Sequence, residues 1–284
     1  MKKSALHFAL GAVLVLSHAE NTLSQDLATL KNTQVRQLTS TYVAGMTYKL
    51  MITLPPGYEQ TQNNYPVLYY LDAWMTTGIM SDSYFIASFT GAIEPLIMVG
   101  ISFDSDAPGF LFNRARDYTP THIAPEQLGE MAKMVPASGG GPAFLKFLKL
   151  ELFPFIEGNY RANPHDRGIL GYSLGGLFGA WALLKDPSLF KRYALCSPSL
   201  HWDNFMILKE WEKLSPGAEK VVIISQTGGE DPAVKSGIKK MVTQASKVTN
   251  VTISTFEISD ESHYTGVPAS HMKALTMLYP RTGP

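Results

Sequence analysis

The apolar residues of this chain fall into short continuous runs separated by longer amphipathic stretches. P-V-L-Y-Y-L at residues 66–71 and L-I-M-V-G-I at 96–101 do not alternate, the pattern of strands buried on both faces of a parallel sheet. Residues 169–171, 193–196, 221–225 and 251–258 continue the series. Ahead of them, 35–40 and 46–54 alternate enough for two antiparallel strands joined at Ala44-Gly45, and Pro55-Pro56-Gly57 stops the second. Helical spacing appears in between. At 142–156, Phe144, Phe147, Leu148 and Phe155 share a face, and Pro154 should kink or shorten the far end. Further helices are expected at 175–184, 233–246 and 269–278. Residues 103–138 lack periodicity and read as an irregular insertion beside the substrate. Strands alternating with helices predict an α/β fold, a mostly parallel central sheet with helices on both faces.

The first residues follow a different pattern. Lys2 and Lys3 precede an apolar run at 5–16, broken only by His7, and Ser17-His18-Ala19 gives a small-x-small cleavage site. This order predicts an export signal at 1–19, a single domain over 20–284, and a periplasmic or secreted product. The run is short for a bilayer span, so no stable membrane anchor is expected. Twenty-four basic and 24 acidic side chains cancel, leaving no electrostatic footprint for nucleic acid. The single cysteine, Cys196, cannot form an intramolecular disulfide, so the core alone must hold the fold.

The chemistry centres on Gly171-Tyr172-Ser173-Leu174-Gly175-Gly176, between a strand and a helix. A sharp strand-to-helix turn lifts its serine out of the sheet and needs small flanking residues, which is the physical content of G-x-S-x-G. A serine hydroxyl needs a base to become a nucleophile. Of the histidines that follow, His263 in D-E-S-H-Y-T-G-V-P lies just past the last strand, where a triad imidazole belongs. His271 falls inside the next helix as a packing or surface residue, and His201 in S-P-S-L-H-W-D-N is placed to line the pocket. The acid should follow the strand at 221–225, where Q-T-G-G-E-D-P offers Glu230 and Asp231. One orients the imidazole and the other caps the helix behind Pro232; Asp231 is the first choice for the acid. The oxyanion hole is assigned to the amide of Leu174 and to that of Ala73 or Trp74. No H-E-x-x-H, paired Cys/His spacing or Walker-type loop is present, so neither metal nor cofactor is expected. Gly139-Gly140-Gly141 reads as a hinge rather than a phosphate cradle.

Beyond these local signals, L-P-P-G-Y (54–58), Y-P-V-L-Y-Y-L-D (65–72), R-A-R-D-Y-T-P (114–120), G-Y-S-L-G-G-L-F and S-P-S-L-H-W-D-N together resemble the esterase D and enterochelin-esterase-like branch of the α/β-hydrolases, over about 48–278. The resemblance implies hydrolysis of carboxylic esters through an acyl-enzyme, with Ser173 and His263 in their family roles. Its substrates are small-molecule or glycan-linked esters: siderophore trilactones, S-formylglutathione, polysaccharide acyl groups or short acyl esters. Export disfavours the cytosolic thioester. The family commonly has L-D-G where this chain has Leu71-Asp72-Ala73. Arg114 and Arg116 are candidates to hold a substrate carboxylate or to form internal pairs such as that with Asp117. Tyr172, His201 and Trp202 are candidate pocket residues, and Trp74, Phe110 and Trp202 offer aromatic surface. An acyltransferase on the same scaffold, resembling mycolyltransferases, and a non-catalytic binding protein retaining the fold are the rival readings.

Overall fold

The computed structural model describes residues 29–211 and 213–281; the export signal expected at 1–19 lies outside them. β1 (Thr33–Thr39) and β2 (Thr47–Thr53) pair antiparallel, and the turn between them uses Gly45 at φ 72°. β3 (Tyr65–Tyr70), β4 (Ile97–Phe103), β5 (Ala162–Tyr172), β6 (Arg192–Cys196), β7 (Lys220–Gly229) and β8 (Val251–Ser262) complete one sheet. Its order is β1-β2-β4-β3-β5-β6-β7-β8. β2 meets β4 antiparallel, and every pairing from β4 through β8 is parallel. The strand order reverses beside β3, so the open crevice lies at the carboxyl ends of β3 and β5.

The helices in chain order are α1 (Ala73–Phe89), α2 (Ala107–Tyr118), the short α3 (Pro125–Leu128), α4 (Gly141–Phe147), α5 (Phe153–Asn159), α6 (Leu174–Lys185), α7 (Trp202–Trp211), α8 (Pro232–Ala245) and α9 (Val267–Leu278). Alternate strand residues face opposite layers. Leu68, Tyr70, Met98, Leu170 and Ile223 pack against Tyr84, Leu275 and Leu278 of α1 and α9. Tyr69, Val99, Ile101, Ile169 and Ile224 face the larger core, with Tyr118, Phe147, Phe178, Trp211 and Met241 from the other helices. The sheet is therefore covered on both faces, as the continuous apolar strands require.

Three sequence expectations need correction. Pro154 does not shorten its helix: a π-helical turn at Leu148–Leu152 separates α4 from α5, and the chain stays helical to Asn159. Proline supplies no N–H to the carbonyl four residues back, and a wider turn accommodates that missing bond. Residues 103–138 are not irregular throughout, because α2 occupies twelve of them; Asp106 caps it by accepting from the Gly109 amide at 2.8 Å. Gly139-Gly140-Gly141 is a packing contact rather than a hinge. The Gly140 and Gly141 amides donate to Arg116 O and Thr119 O at 2.8 and 3.0 Å. A Cβ at Gly139 would come within 2.8 Å of the His122 backbone.

Candidate active site

Ser173 stands between β5 and α6 with φ 57° and ψ −114°, a backbone state that costs an L-residue energy and has to be held by its surroundings. Its amide donates to Cys196 O at 2.9 Å, and its carbonyl accepts from Leu177 N and Ser199 N at 3.0 and 3.1 Å. The glycines make room for the turn. A Cβ on Gly171 would lie 2.4 Å from the Gly175 carbonyl, and one on Gly176 would meet Pro198 and Cys196 O at 3.0–3.1 Å. The serine is thus pushed up at the carboxyl edge of the sheet by contacts that only glycine permits.

His263 follows β8 directly, with its side chain 24% exposed. Its Nδ1 lies 2.7 Å from Oε2 of Glu230, whose carboxylate has no solvent exposure. Glu230 Oε1 accepts a second bond from Thr227 Oγ1 at 3.0 Å. Burial pushes the Glu230 carboxyl up, but the bond from His263, then other donors and the imidazolium charge, outweigh it and hold the group below the usual glutamate range. The Tyr172 hydroxyl donates to His263 O at 2.7 Å, tying the histidine loop to the residue before Ser173. With Nδ1 facing the carboxylate, Nε2 is the nitrogen available to a substrate or a serine. Ser173 Oγ itself pairs with Ser199 Oγ at 3.2 Å; among the described residues no hydrogen bond joins it to His263.

Asp231, the first choice for the acid, is instead the cap of α8, accepting from Ala233 N at 2.7 Å. Asp before Pro at a helix start suits that role, and the adjacent Glu230 is the carboxylate that turns inward. Arg114 and Arg116 are each paired with a buried carboxylate of the chain itself, although Arg116 Nη2 has no partner among the described residues. Arg114 Nε and Nη2 pair with Asp72 Oδ1 and Oδ2 at 2.7 and 3.1 Å. Arg116 Nε holds the fully buried Asp117 at 2.7 Å, which also accepts from Tyr48 Oη at 2.7 Å. Trp202 is buried and donates its indole N–H to Thr121 Oγ1 at 3.0 Å. Tyr172 is nearly buried and acts on the His263 backbone rather than standing open as pocket wall.

His201 stays partly accessible near this cluster. Burial and then the His263 charge push its imidazole down, with Asp231 and Glu230 opposing, and its Nδ1 has no partner. His271 is buried beneath Tyr172, its ring stacked at 6.0 Å, with Nδ1 on Val267 O at 2.8 Å. Burial pushes it down to about 4. Cys196, at the foot of the site, is pushed up to about 12 by burial, so its thiol stays protonated. Ser199 and Asp72 are the site residues that residue-type reasoning passed over; S-P-S after β6 was the available signal for the first.

The amides of Leu174 and Ala73 open α6 and α1, where first-turn N–H groups have no intrahelical acceptor and the helix dipole favours negative charge. Trp74 sits beside them, 44% exposed, stacked on Phe110 at 4.8 Å with its indole N–H on Ser105 O at 3.2 Å.

A strained serine between strand and helix, an imidazole–carboxylate pair across from it, and this strand order define an α/β-hydrolase. Residues 41–254 match the Esterase family model, described as "Putative esterase". The chain belongs to that family. It is 36% identical over 189 residues to the ferri-bacillibactin esterase BesA of Bacillus subtilis (strain 168), covering 64% of this chain and 63% of that protein. It is 28% identical over 158 residues to the apo-salmochelin esterase of Escherichia coli O6:H1 (strain CFT073), covering 56% and 49%. The chain thus spans from about half to just under two thirds of these relatives' lengths. Among solved structures, it resembles an IroE-like serine hydrolase from Shewanella oneidensis with TM-score 0.74 and 25% identity, over 87% of this chain and 80% of that one. The BES protein from Bacillus cereus superposes with TM-score 0.79 at 24% identity, over 92% and 99%, a likeness of fold.

Proposed function

We propose that this protein is an exported serine ester hydrolase acting on small-molecule siderophore-type esters. Ser173 is the nucleophile, His263 the base and Glu230 the acid. The observation that carries this reading is the 2.7 Å bond between His263 Nδ1 and the buried Glu230, on the same edge of the sheet as the strained Ser173. In this mechanism the Ser173 hydroxyl leaves Ser199 to meet His263 Nε2. Attack on the ester carbonyl passes the serine proton to that nitrogen while Glu230 stabilises the imidazolium. The tetrahedral oxyanion is held by the amides of Leu174 and of the α1 first turn, Ala73 or Trp74. His263 then protonates the leaving alcohol, and water repeats the sequence to release the acid.

The substrate class draws its support from relatives named as ferri-bacillibactin and apo-salmochelin esterases, and the exposed Trp74 at the start of α1 offers aromatic surface next to the assigned oxyanion amide. Export rests on the basic–apolar–small order of the first nineteen residues. A panel of nitrophenyl esters of increasing chain length, methyl ferulate and a trilactone siderophore tests the assignment. The expected result is ester cleavage with the trilactone preferred, reduced by about 10⁴-fold or more in Ser173→Ala. Cleavage of equal rate in Ser173→Ala would overturn it.

A further inference from the structure

The two oxyanion donors come from different strands. Ala73 follows β3, and Leu174 follows β5 by way of Ser173. Helix α2, from the segment expected to be irregular, sends one side chain to both. The Arg114 guanidinium grips Asp72 through Nε and Nη2, and the same Nη2 reaches Tyr172 O at 3.2 Å. Asp72 immediately precedes Ala73, and Tyr172 immediately precedes Ser173. Asp72 adopts φ 57° and ψ 30°, left-handed values that a β-carbon resists. Its side chain does not cap α1; it is committed to Arg114. Its carbonyl accepts from Met75 N and Thr76 N at 2.9 and 3.1 Å, and its amide donates to Tyr118 Oη at 3.2 Å. Every polar group of Asp72 is therefore fixed from α1 or α2. The pair is nearly dry, with side chains 13% and 3% exposed for Arg114 and Asp72.

From this geometry we infer that Arg114 is a positioning residue that sets the spacing of the two oxyanion amides, by clamping the turn after β3 to the end of β5. The inference rests on the esterase reading above. A guanidinium suits the task because its planar fork can hold a carboxylate and a carbonyl at once, which an ammonium cannot do with the same geometry. The effect is exerted at the transition state: a shift of one amide leaves ester binding largely intact but removes a bond to the developing charge. A displacement of about 1 Å in such a site can cost about 100-fold in rate.

The test compares the parent with Arg114→Lys, Arg114→Met, Ser173→Ala and Arg192→Lys. The last alters a similar pair at the far end of the sheet. kcat and KM are measured on p-nitrophenyl acetate, with the inhibition constant of a trifluoromethyl ketone, which forms a tetrahedral adduct with an active serine, and the thermal midpoint of each protein. Arg114→Lys is expected to lower kcat about 10- to 100-fold with KM within about threefold, and to weaken the trifluoromethyl ketone by the same factor as kcat/KM. Arg192→Lys leaves kcat unchanged. Arg114→Met removes the charge and is the variant that risks folding; Arg114→Lys keeps the test decisive if it does not fold. Unchanged kcat in folded Arg114→Lys would overturn the clamp, as would a raised KM with kcat retained, the signature of a residue that holds substrate. Activity surviving in Ser173→Ala would overturn the esterase reading, and the clamp's catalytic role with it.

Discussion

Two arginine–aspartate pairs of nearly the same geometry stand at opposite ends of the sheet. At the carboxyl end, Arg114 grips Asp72 through Nε and Nη2 at 2.7 and 3.1 Å. At the amino end, Arg192 grips Asp166 through the same two nitrogens, both at 2.7 Å. Their exposures are alike: 13% and 3% for the first pair, 14% and 11% for the second. The difference lies in what else each arginine touches. Arg192 adds Leu278 O at 2.6 Å and Glu94 at 3.1 Å, joining the starts of β5 and β6 to the last turn of α9. Arg114 adds Tyr172 O, one residue from a strained serine. Open parallel sheets place their chemistry outside the carboxyl ends of the strands. The same interaction therefore serves cohesion at one end and positioning at the other, and its location rather than its chemistry decides which.

The sharpest way to break this division is at the carboxyl end, beyond the clamp. Glu230→Gln keeps the shape of the buried side chain but removes the charge facing His263. The account predicts a loss of about 10³-fold in kcat or more, because the imidazolium loses its partner and the tautomer is no longer set. Steady-state kinetics on a nitrophenyl ester check it, and near-parental turnover would remove Glu230 from the site. Next in size is Arg192→Met at the other end. Asp166 would be left with Lys191 at 3.4 Å as its remaining salt-bridge partner, and stability should fall by about 3–5 kcal/mol in urea unfolding, with kcat of the folded enzyme unchanged. A drop in kcat without a drop in stability would erase the contrast between the two ends.

Between the two ends lies His271, buried beneath Tyr172. Its folded value of about 4 lies below the ordinary 6.5, so the unfolded chain binds the extra proton in that interval. Stability is therefore full above about pH 6.5 and declines as pH falls toward 4, by roughly 3 kcal/mol from this group. His271→Leu should flatten that part of the profile in thermal unfolding between pH 7 and 4; an unchanged slope would contradict it. The smallest expected effect is that of Asp231→Ala, about 1 kcal/mol from the lost cap on α8 with kcat little changed. Together with Glu230→Gln it separates two adjacent carboxylates by function.

That adjacency marks where the sequence stopped being legible. β3 and β4 could be placed because strands buried on both faces are continuously apolar, whereas β8, grouped with them from its sequence, is an edge strand with no buried residue. The serine turn could be placed because its glycines are sterically forced. Glu230 and Asp231 could not be told apart, since one step along the chain reverses which side chain turns inward. Helix α1 escaped notice for a different reason. Its buried stripe is Ala73, Thr76, Thr77, Met80, Ser81, Tyr84 and Ala87, while Trp74, Met75, Phe85, Ile86 and Phe89 are exposed. The pattern is nearly inverted, so an apolar-face search finds no helix there. Helix α2 hides likewise, because it buries Asp117 and directs Arg114 and Arg116 to buried carboxylates. Helix α7 opens with left-handed residues at 203–205, a start that no propensity scale anticipates. The misses at Glu230 and at α2 concern polar groups satisfied across long sequence distances, which local periodicity does not record.

The proposed chemistry depends on the Ser173 hydroxyl as nucleophile at this edge of the sheet. Treating the intact protein with a fluorophosphonate and mapping the adduct by peptide mass spectrometry tests it most directly. The account predicts one stoichiometric adduct on Ser173, loss of ester hydrolysis in proportion to labelling, and no adduct in Ser173→Ala. Labelling of another residue, or hydrolysis that persists in fully labelled protein, would contradict it.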